Sequence, residues 1–177
     1  MGETICRDRL AQLLGSGEPA VRASAFHGLS LLDDTDSRLG GQLVNGTFWL
    51  HRVSQSPASM VCFASSKKAQ VIFFGRNIRL LPDSRMFVGK DYTVVSDLTG
   101  DKCLVKRINV QGEQQRTCSQ RLDEILLCLT DLGATYPDAV EFLRKAHDYR
   151  KVNCPVTNWT QPETTLEALI EGGRDLR

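Results

Sequence analysis

Two short apolar segments separated by a polar turn constrain the fold of this chain more than any other feature. Residues 60–64 and 70–74 read MVCFA and QVIFF, and serines and lysines occupy positions 65–68 between them. This pattern predicts a β-hairpin. Because both strands are apolar at nearly every position, they lack the alternation of a sheet with one solvated face. We therefore expect both faces of the hairpin to be covered.

A longer region around this hairpin is predicted to be rich in strands. β-Branched and aromatic residues are frequent from residue 42 to about 112, and turn signals recur at short spacing. Further strands are predicted near residues 47–53, 77–81, 86–89, 91–97 and 102–110. Six or seven short strands favour a mostly antiparallel β sandwich or a partly open barrel at the centre of an α+β fold.

The N-terminal residues 1–36 are predicted to form a pair of antiparallel helices. The first covers residues 3–15, and Ser16 is placed to cap the second. Apolar side chains of the second helix recur at intervals of four, four and three residues, at Val21, Ala25, Leu29 and Leu32. Such a pair is typical of a HEAT-like repeat, which cannot bury its apolar face alone. We therefore expect it to be the last unit, or a cap, of an array.

Helices are predicted again after the β-rich region. Thr117 and Gln120 fit a capping box that would begin an apolar helix ending at Gly133. A second helix restarts at Thr135 and Pro137, which makes an αα-hairpin that we expect to cover one face or edge of the strands. The last part of the chain is predicted to be a tail with one short helix. The predicted units are therefore, in order, residues 1–36, 37–150 and 151–177.

The totals of charged residues and cysteines exclude several classes of function. The 22 basic side chains are balanced by 21 acidic ones, which argues against a nucleic-acid partner. No apolar run reaches the roughly 18 residues that span a membrane, so no membrane insertion is predicted, and the N-terminus does not fit a signal peptide. The six cysteines form no C-x-x-C pair. We expect free thiols, no metal, no cofactor and a reducing, cytoplasmic compartment.

No set of residues predicts a catalytic centre, and we do not expect an enzyme. His51 lies in a predicted strand from which it could meet Cys62 across a hairpin, but no oxyanion loop or third partner is evident. Asp123 and Glu124 are adjacent near a helix terminus, where capping or solvated roles explain them. A small-ligand-binding or enzymatic β domain with a pocket around His51 and Cys62 is kept as an alternative.

A basic stretch beside aromatic residues leaves nucleic-acid binding as a further alternative. Arg76, Arg79 and Arg85 follow Phe73 and Phe74. Arginines and aromatic rings together on a β surface can hold and stack single-stranded bases, here across residues 67–85. An ordinary strand with a polar outer face produces the same pattern, and the balanced charge favours that interpretation.

The order of the segments is similar to that of a known family. AVRASAFHGLSLLDDTD leads into LGGQLVNGTFWLHRV, a VIFFG strand end lies at residues 71–75, and an LGATYPD junction lies at residues 132–138. Across about residues 18–150 the chain resembles the C-terminal region of planctomycete HEAT-repeat proteins described as flagellar P-ring-like. The resemblance implies a helical array that leads into a β-rich module, and a location in the cell envelope or periplasm.

The favoured function is a non-catalytic structural or protein-interaction module, with a protein partner or a second copy of the chain as its target. The residues expected on its interaction surface lie around the hairpin and at the TYPD junction: Lys67, Lys68, Arg76, Arg79 and Tyr136. The resemblance implies that such a module contributes to a flagellar P-ring-like or envelope assembly.

Overall fold

A computed structural model describes residues 2–33, 35–64 and 68–159 of the chain. These residues form two N-terminal helices, a β-rich centre, two further helices and a last short strand. In chain order the elements are α1 (Gly2–Leu13), α2 (Pro19–Leu32), β1 (Gly41–Val44), β2 (Phe48–Val53), β3 (Met60–Ala64), β4 (Gln70–Phe74), β5 (Arg85–Val88), β6 (Tyr92–Ser96), β7 (Lys102–Asn109), β8 (Gly112–Ser119), α3 (Leu122–Asp131), α4 (Tyr136–Asp148) and β9 (Val156–Asn158). The α+β class that the sequence predicts is confirmed.

The strands form two separate sheets. The first sheet has the order β1-β2-β4-β3-β9 and is mixed, since β2 and β4 are parallel, as are β3 and β9. The second sheet is an antiparallel meander in the order β5-β6-β7-β8. The predicted hairpin is β3–β4, and it lies inside the first sheet because β4 pairs with β2 as well as with β3.

Both faces of the hairpin are covered, as the sequence predicts. On one face Cys62 and Ile72 share a core with Phe26 of α2. On the other face Val71 and Phe73 belong to the larger second core. The first sheet thus provides the apolar surface that the helical pair α1–α2 lacks by itself. Burying each large apolar side chain at this interface contributes about 2 kcal/mol.

The second core lies between the two sheets and contains the helical hairpin α3–α4. Ile125 and Phe142 from these helices pack in one cluster with Phe73 of the first sheet and Val94 of the second. Because helices contribute to the core between the sheets, the two sheets are only partly consistent with the predicted sandwich. The outer face of the second sheet is solvated, and Phe87 is exposed there.

The capping box predicted at Thr117 and Gln120 is wrong. Thr117 lies in β8, and α3 begins only at Leu122. β8 is an edge strand of the second sheet, and most of its side chains are polar and exposed. An edge strand with little buried surface needs no apolar alternation, so the pattern that marks the other strands is absent here.

Other local predictions also differ from the structure. Residues 77–81 are not a strand but make isolated bridges at Arg79 and Leu80. Ser16 does not cap α2, which begins at Pro19 after Glu18. The predicted restart at Thr135 is present with a complete capping box.

The predicted C-terminal tail contains a strand that the sequence does not predict, since Val156–Asn158 form β9 and pair in parallel with β3. The short helix predicted further along lies outside the described residues. Within residues 2–33, 35–64 and 68–159, no helix is both long enough and apolar enough to cross a bilayer.

Candidate functional site

One pocket at an end of the first sheet is rich in arginine. It has a volume of about 330 Å³ and lies where the ends of β2 and β4 meet the start of α3. This arginine pocket is lined by Arg52, Ser54, Phe73, Gly75, Arg76, Asn77, Ile78, Arg121 and Asp123. Polar groups that converge over an apolar floor are typical of binding sites, so the pocket is the candidate functional site.

A tight turn after β4 builds one wall of the arginine pocket. Gly75 has a left-handed φ of +86°, and a Cβ at this position would lie 3.1 Å from the Cα of Ser59. Only glycine fits such a close approach without strain. The turn leaves Arg76 exposed and brings the chain to Ile78, whose carbonyl accepts a 3.0 Å hydrogen bond from the N–H of Leu122. This bond ties the wall to the start of α3.

Asp123 anchors the arginine pocket from inside. Its side chain is buried, and Oδ2 accepts hydrogen bonds from Nε of Arg52 at 2.7 Å and from Nη2 of Arg121 at 3.0 Å. Burial alone would raise the pKa of Asp123, but the hydrogen bonds and charges of Arg121 and Arg52 outweigh it and lower that pKa below its usual value. Asp123 therefore stays ionised and fixes two guanidinium groups. The solvated or capping role predicted for it is wrong.

The arginines retain donors that Asp123 does not use. Arg52 uses one of them on Gln42, with Nη1 2.8 Å from Oε1, while Nε of Arg121, which already donates to Asp123, also lies 3.5 Å from the carboxylate of Glu124. Arg76 is exposed, and its guanidinium makes no hydrogen bond or ion pair within the described part of the chain. Three guanidinium groups and one carboxylate line the pocket, an excess of two positive charges. Such an excess attracts anions.

The predicted interaction surface is divided between two ends of β4. Arg76 follows β4 and lines the arginine pocket, and Arg79 lies opposite Arg121 in an isolated antiparallel bridge. Lys68 precedes β4, and the five residues of that strand alone separate its two ends by roughly 13 Å. Lys67 lies outside the described residues. The surface is therefore not one continuous patch.

The other two residues of the predicted interaction surface, Lys68 and Tyr136, lie near the start of β4 and have partners within the fold. Nζ of Lys68 lies 3.9 Å from the centroid of the Trp49 ring, a cation–π contact. The hydroxyl of Tyr136 donates to the carbonyl oxygen of Ala64 at 2.7 Å, and burial raises its pKa to about 12. This bond fastens the start of α4 to β3.

His51 and Cys62 do not form the cysteine–histidine pair that the sequence leaves open. Ile72 of β4 lies between them, since it opposes His51 on one side and Cys62 on the other. Burial lowers the pKa of His51 to about 4 and raises the pKa of Cys62 to about 12. The thiol is therefore protonated at neutral pH and is not activated as a nucleophile.

The aromatic rings near the basic residues cannot stack bases. Phe73 is 4% exposed and Phe74 is fully buried, where it packs edge-on against Phe26. Base stacking requires an accessible ring face. The aromatic half of the predicted nucleic-acid surface is therefore wrong, whereas Arg76 and Arg79 are exposed.

Comparison of the chain with protein-family models, with curated proteins and with solved structures found no match. The similarity to planctomycete HEAT-repeat proteins therefore stays a prediction. No group of three or more histidine, cysteine, aspartate or glutamate side chains that could hold a metal ion occurs among the residues that the structure describes. Function is therefore inferred from the arginine pocket.

Proposed function

We propose that this protein is a non-catalytic interaction module that binds an anionic group of a partner protein in the arginine pocket. The observation that supports this most directly is the buried Asp123, which holds Arg52 and Arg121 in place. A guanidinium group that is already fixed loses little side-chain freedom when it binds a ligand. The pocket is therefore organised before an anion arrives.

The chemistry of the lining favours binding over catalysis. Both carboxylate oxygens of Asp123 accept hydrogen bonds from arginine, so this group is poorly placed to remove a proton from a ligand. Arginine stays protonated and cannot act as a base. Among the residues that the structure describes, no histidine, lysine or cysteine lines the pocket. These groups can hold a negative charge, but they offer no evident route for proton transfer or nucleophilic attack.

The place of this module in a larger assembly rests on the family resemblance. A flagellar P-ring-like or envelope assembly, and the identity of α1–α2 as a last HEAT-like repeat, are therefore proposals. α2 buries Phe26 and Leu29 against the first sheet, so the helical pair is stabilised within this chain whether or not another repeat is present.

Calorimetric titration of the whole chain with a tetraglutamate peptide tests the proposal. We expect saturable binding at low salt that weakens about tenfold in Arg76→Gln, because a charge-assisted hydrogen bond is lost. Arg85→Gln is the matched control, since Arg85 is an exposed arginine outside the pocket. Equal weakening in both variants would indicate general charge attraction and refute the site. If acetate binds as tightly as the peptide, a small-ligand function replaces the proposed one.

A further inference from the structure

We infer that the anion recognised by the arginine pocket is a dianionic phosphate monoester on the partner, and not a carboxylate. This inference rests on the proposed function, because it names the chemical class that the same pocket would hold. Three features carry it: the size of the positive excess, the number of unused donors, and the buried apolar floor of the pocket.

The charge of the pocket matches a dianion better than a monoanion. The lining side chains carry an excess of two positive charges. Outside the lining, Arg79, whose backbone bridges to that of Arg121, and Glu124, whose carboxylate lies 3.5 Å from Nε of Arg121, carry opposite charges. A phosphate monoester carries about −1.5 to −2 charges at pH 7, whereas a carboxylate carries one. A single carboxylate would leave the pocket with a positive excess.

The donors of the pocket outnumber the acceptors of a carboxylate. Among the described residues, no hydrogen bond uses one terminal nitrogen of Arg52, one terminal nitrogen of Arg121 or any nitrogen of the Arg76 guanidinium. Ser54 and Asn77 add uncharged polar groups to the lining. A phosphate monoester offers three strong acceptor oxygens, and arginine forks bind such groups with two parallel hydrogen bonds.

The floor of the pocket is apolar, with Phe73 and Ile78 both buried. An apolar floor strengthens charge interactions by lowering the local dielectric constant. The cavity of about 330 Å³ also has room for the carbon atoms that carry the phosphate.

Titration of the whole chain with a phosphoserine tetrapeptide and with its glutamate counterpart tests the inference. At pH 7.5 we expect the phosphopeptide to bind at least about tenfold more tightly, since more charge-assisted hydrogen bonds form. Arg76→Gln is expected to remove most of this preference, Arg76→Lys to restore part of it, and Arg85→Gln to leave it unchanged. All four proteins are first compared by circular dichroism, so that a folding defect is not read as a binding defect.

A pH series adds a readout that is specific to phosphate. The second phosphate pKa is about 6, so lowering the pH from 7.5 to 5 converts the ligand to a monoanion. We expect phosphopeptide affinity to fall about tenfold over this range, while affinity for the glutamate peptide stays nearly constant. A phosphopeptide affinity that does not change with pH would contradict recognition of the dianion.

The outcomes separate this inference from the proposed function. Equal binding of both peptides overturns the phosphate preference and leaves the anion-binding module in place. Binding of neither peptide refutes both. Inorganic phosphate that binds as tightly as the phosphopeptide overturns the partner-borne source and indicates a free phosphate ligand. Tighter binding of an oligo-dT strand, whose phosphodiesters carry one charge each, overturns the inference in favour of nucleic acid.

Discussion

Acidification from pH 7 to pH 5 is predicted to destabilise this protein through one histidine. His51 lies on β2 between the first sheet and the helical pair, 4% exposed, with Nδ1 3.3 Å from the carbonyl oxygen of Leu39. Nε2 is buried and has no partner among the described residues. Burial lowers the pKa of His51 to about 4 from an ordinary 6.5, and the positive charge of Lys68 adds to this effect.

The size and sign of the effect follow from the two pKa values. Between pH 6.5 and pH 4 the unfolded chain binds a proton at His51 that the folded chain does not, so the free energy of unfolding falls as the pH falls. The loss is about 2 kcal/mol between pH 7 and pH 5 and about 3 kcal/mol by pH 4. Asp36, whose pKa is lowered to about 2, stabilises the fold above pH 3.8 and loses its contribution only below that value.

Urea denaturation at pH 7, 6 and 5, followed by tryptophan fluorescence, measures this loss. In His51→Leu the side chain cannot titrate. The part of the pH dependence of the free energy of unfolding that comes from this position therefore disappears, however much the substitution lowers stability at pH 7. His147→Gln is the control for the removal of a histidine, because His147 lies on the surface of α4 and is not buried. If His51→Leu loses as much stability between pH 7 and pH 5 as the wild type, the burial argument is refuted.

Two further changes test the pocket and the turn that precedes β1. Asp123→Asn removes the carboxylate charge that two arginines share, and we expect it to cost about 1–2 kcal/mol of stability, because both guanidinium groups are partly exposed and water can solvate them in the variant. The exposed Asp148→Asn should cost under about 0.5 kcal/mol, and similar losses of the two variants in urea would contradict a structural role for Asp123. Gly40→Ala places a Cβ 2.6 Å from the carbonyl oxygen of Arg52 at a φ of +55°, and we expect a loss of about 2–3 kcal/mol. A Cβ at position 17 would meet no atom within 4 Å. A loss of stability in Gly17→Ala as large as in Gly40→Ala would contradict the steric argument.

Elements with a strong local signal could be predicted from the sequence. The hairpin at residues 60–74 is present with the predicted bounds, because continuous apolar strands around a polar turn have few alternative structures. The restart of α4 at Thr135 was also predictable, since proline at the first turn and a capping residue are local features. β8 was not predictable, because an exposed edge strand of polar residues carries no apolar periodicity.

The candidate site was only partly predictable. The sequence drew attention to Arg76 and Arg79, since they lie close together in a basic stretch. It gave no sign that Arg52 and Arg121 would join them, and it suggested a solvated Asp123. The position of Asp123, two residues after Arg121 at the start of a helix, is a signal for the ion pair between them. The same arrangement is common on solvated helices, so the signal does not identify a buried carboxylate.

The sequence alone determined which segments became buried strands and amphipathic helices, because those preferences depend on side chains a few residues apart. The tertiary structure decided that α3–α4 packs between the two sheets and that β4 is parallel to β2. It also decided that Arg52, Arg76 and Arg121 meet around Asp123. These outcomes depend on which apolar faces cover each other, a choice set by packing between distant segments and not by local pattern.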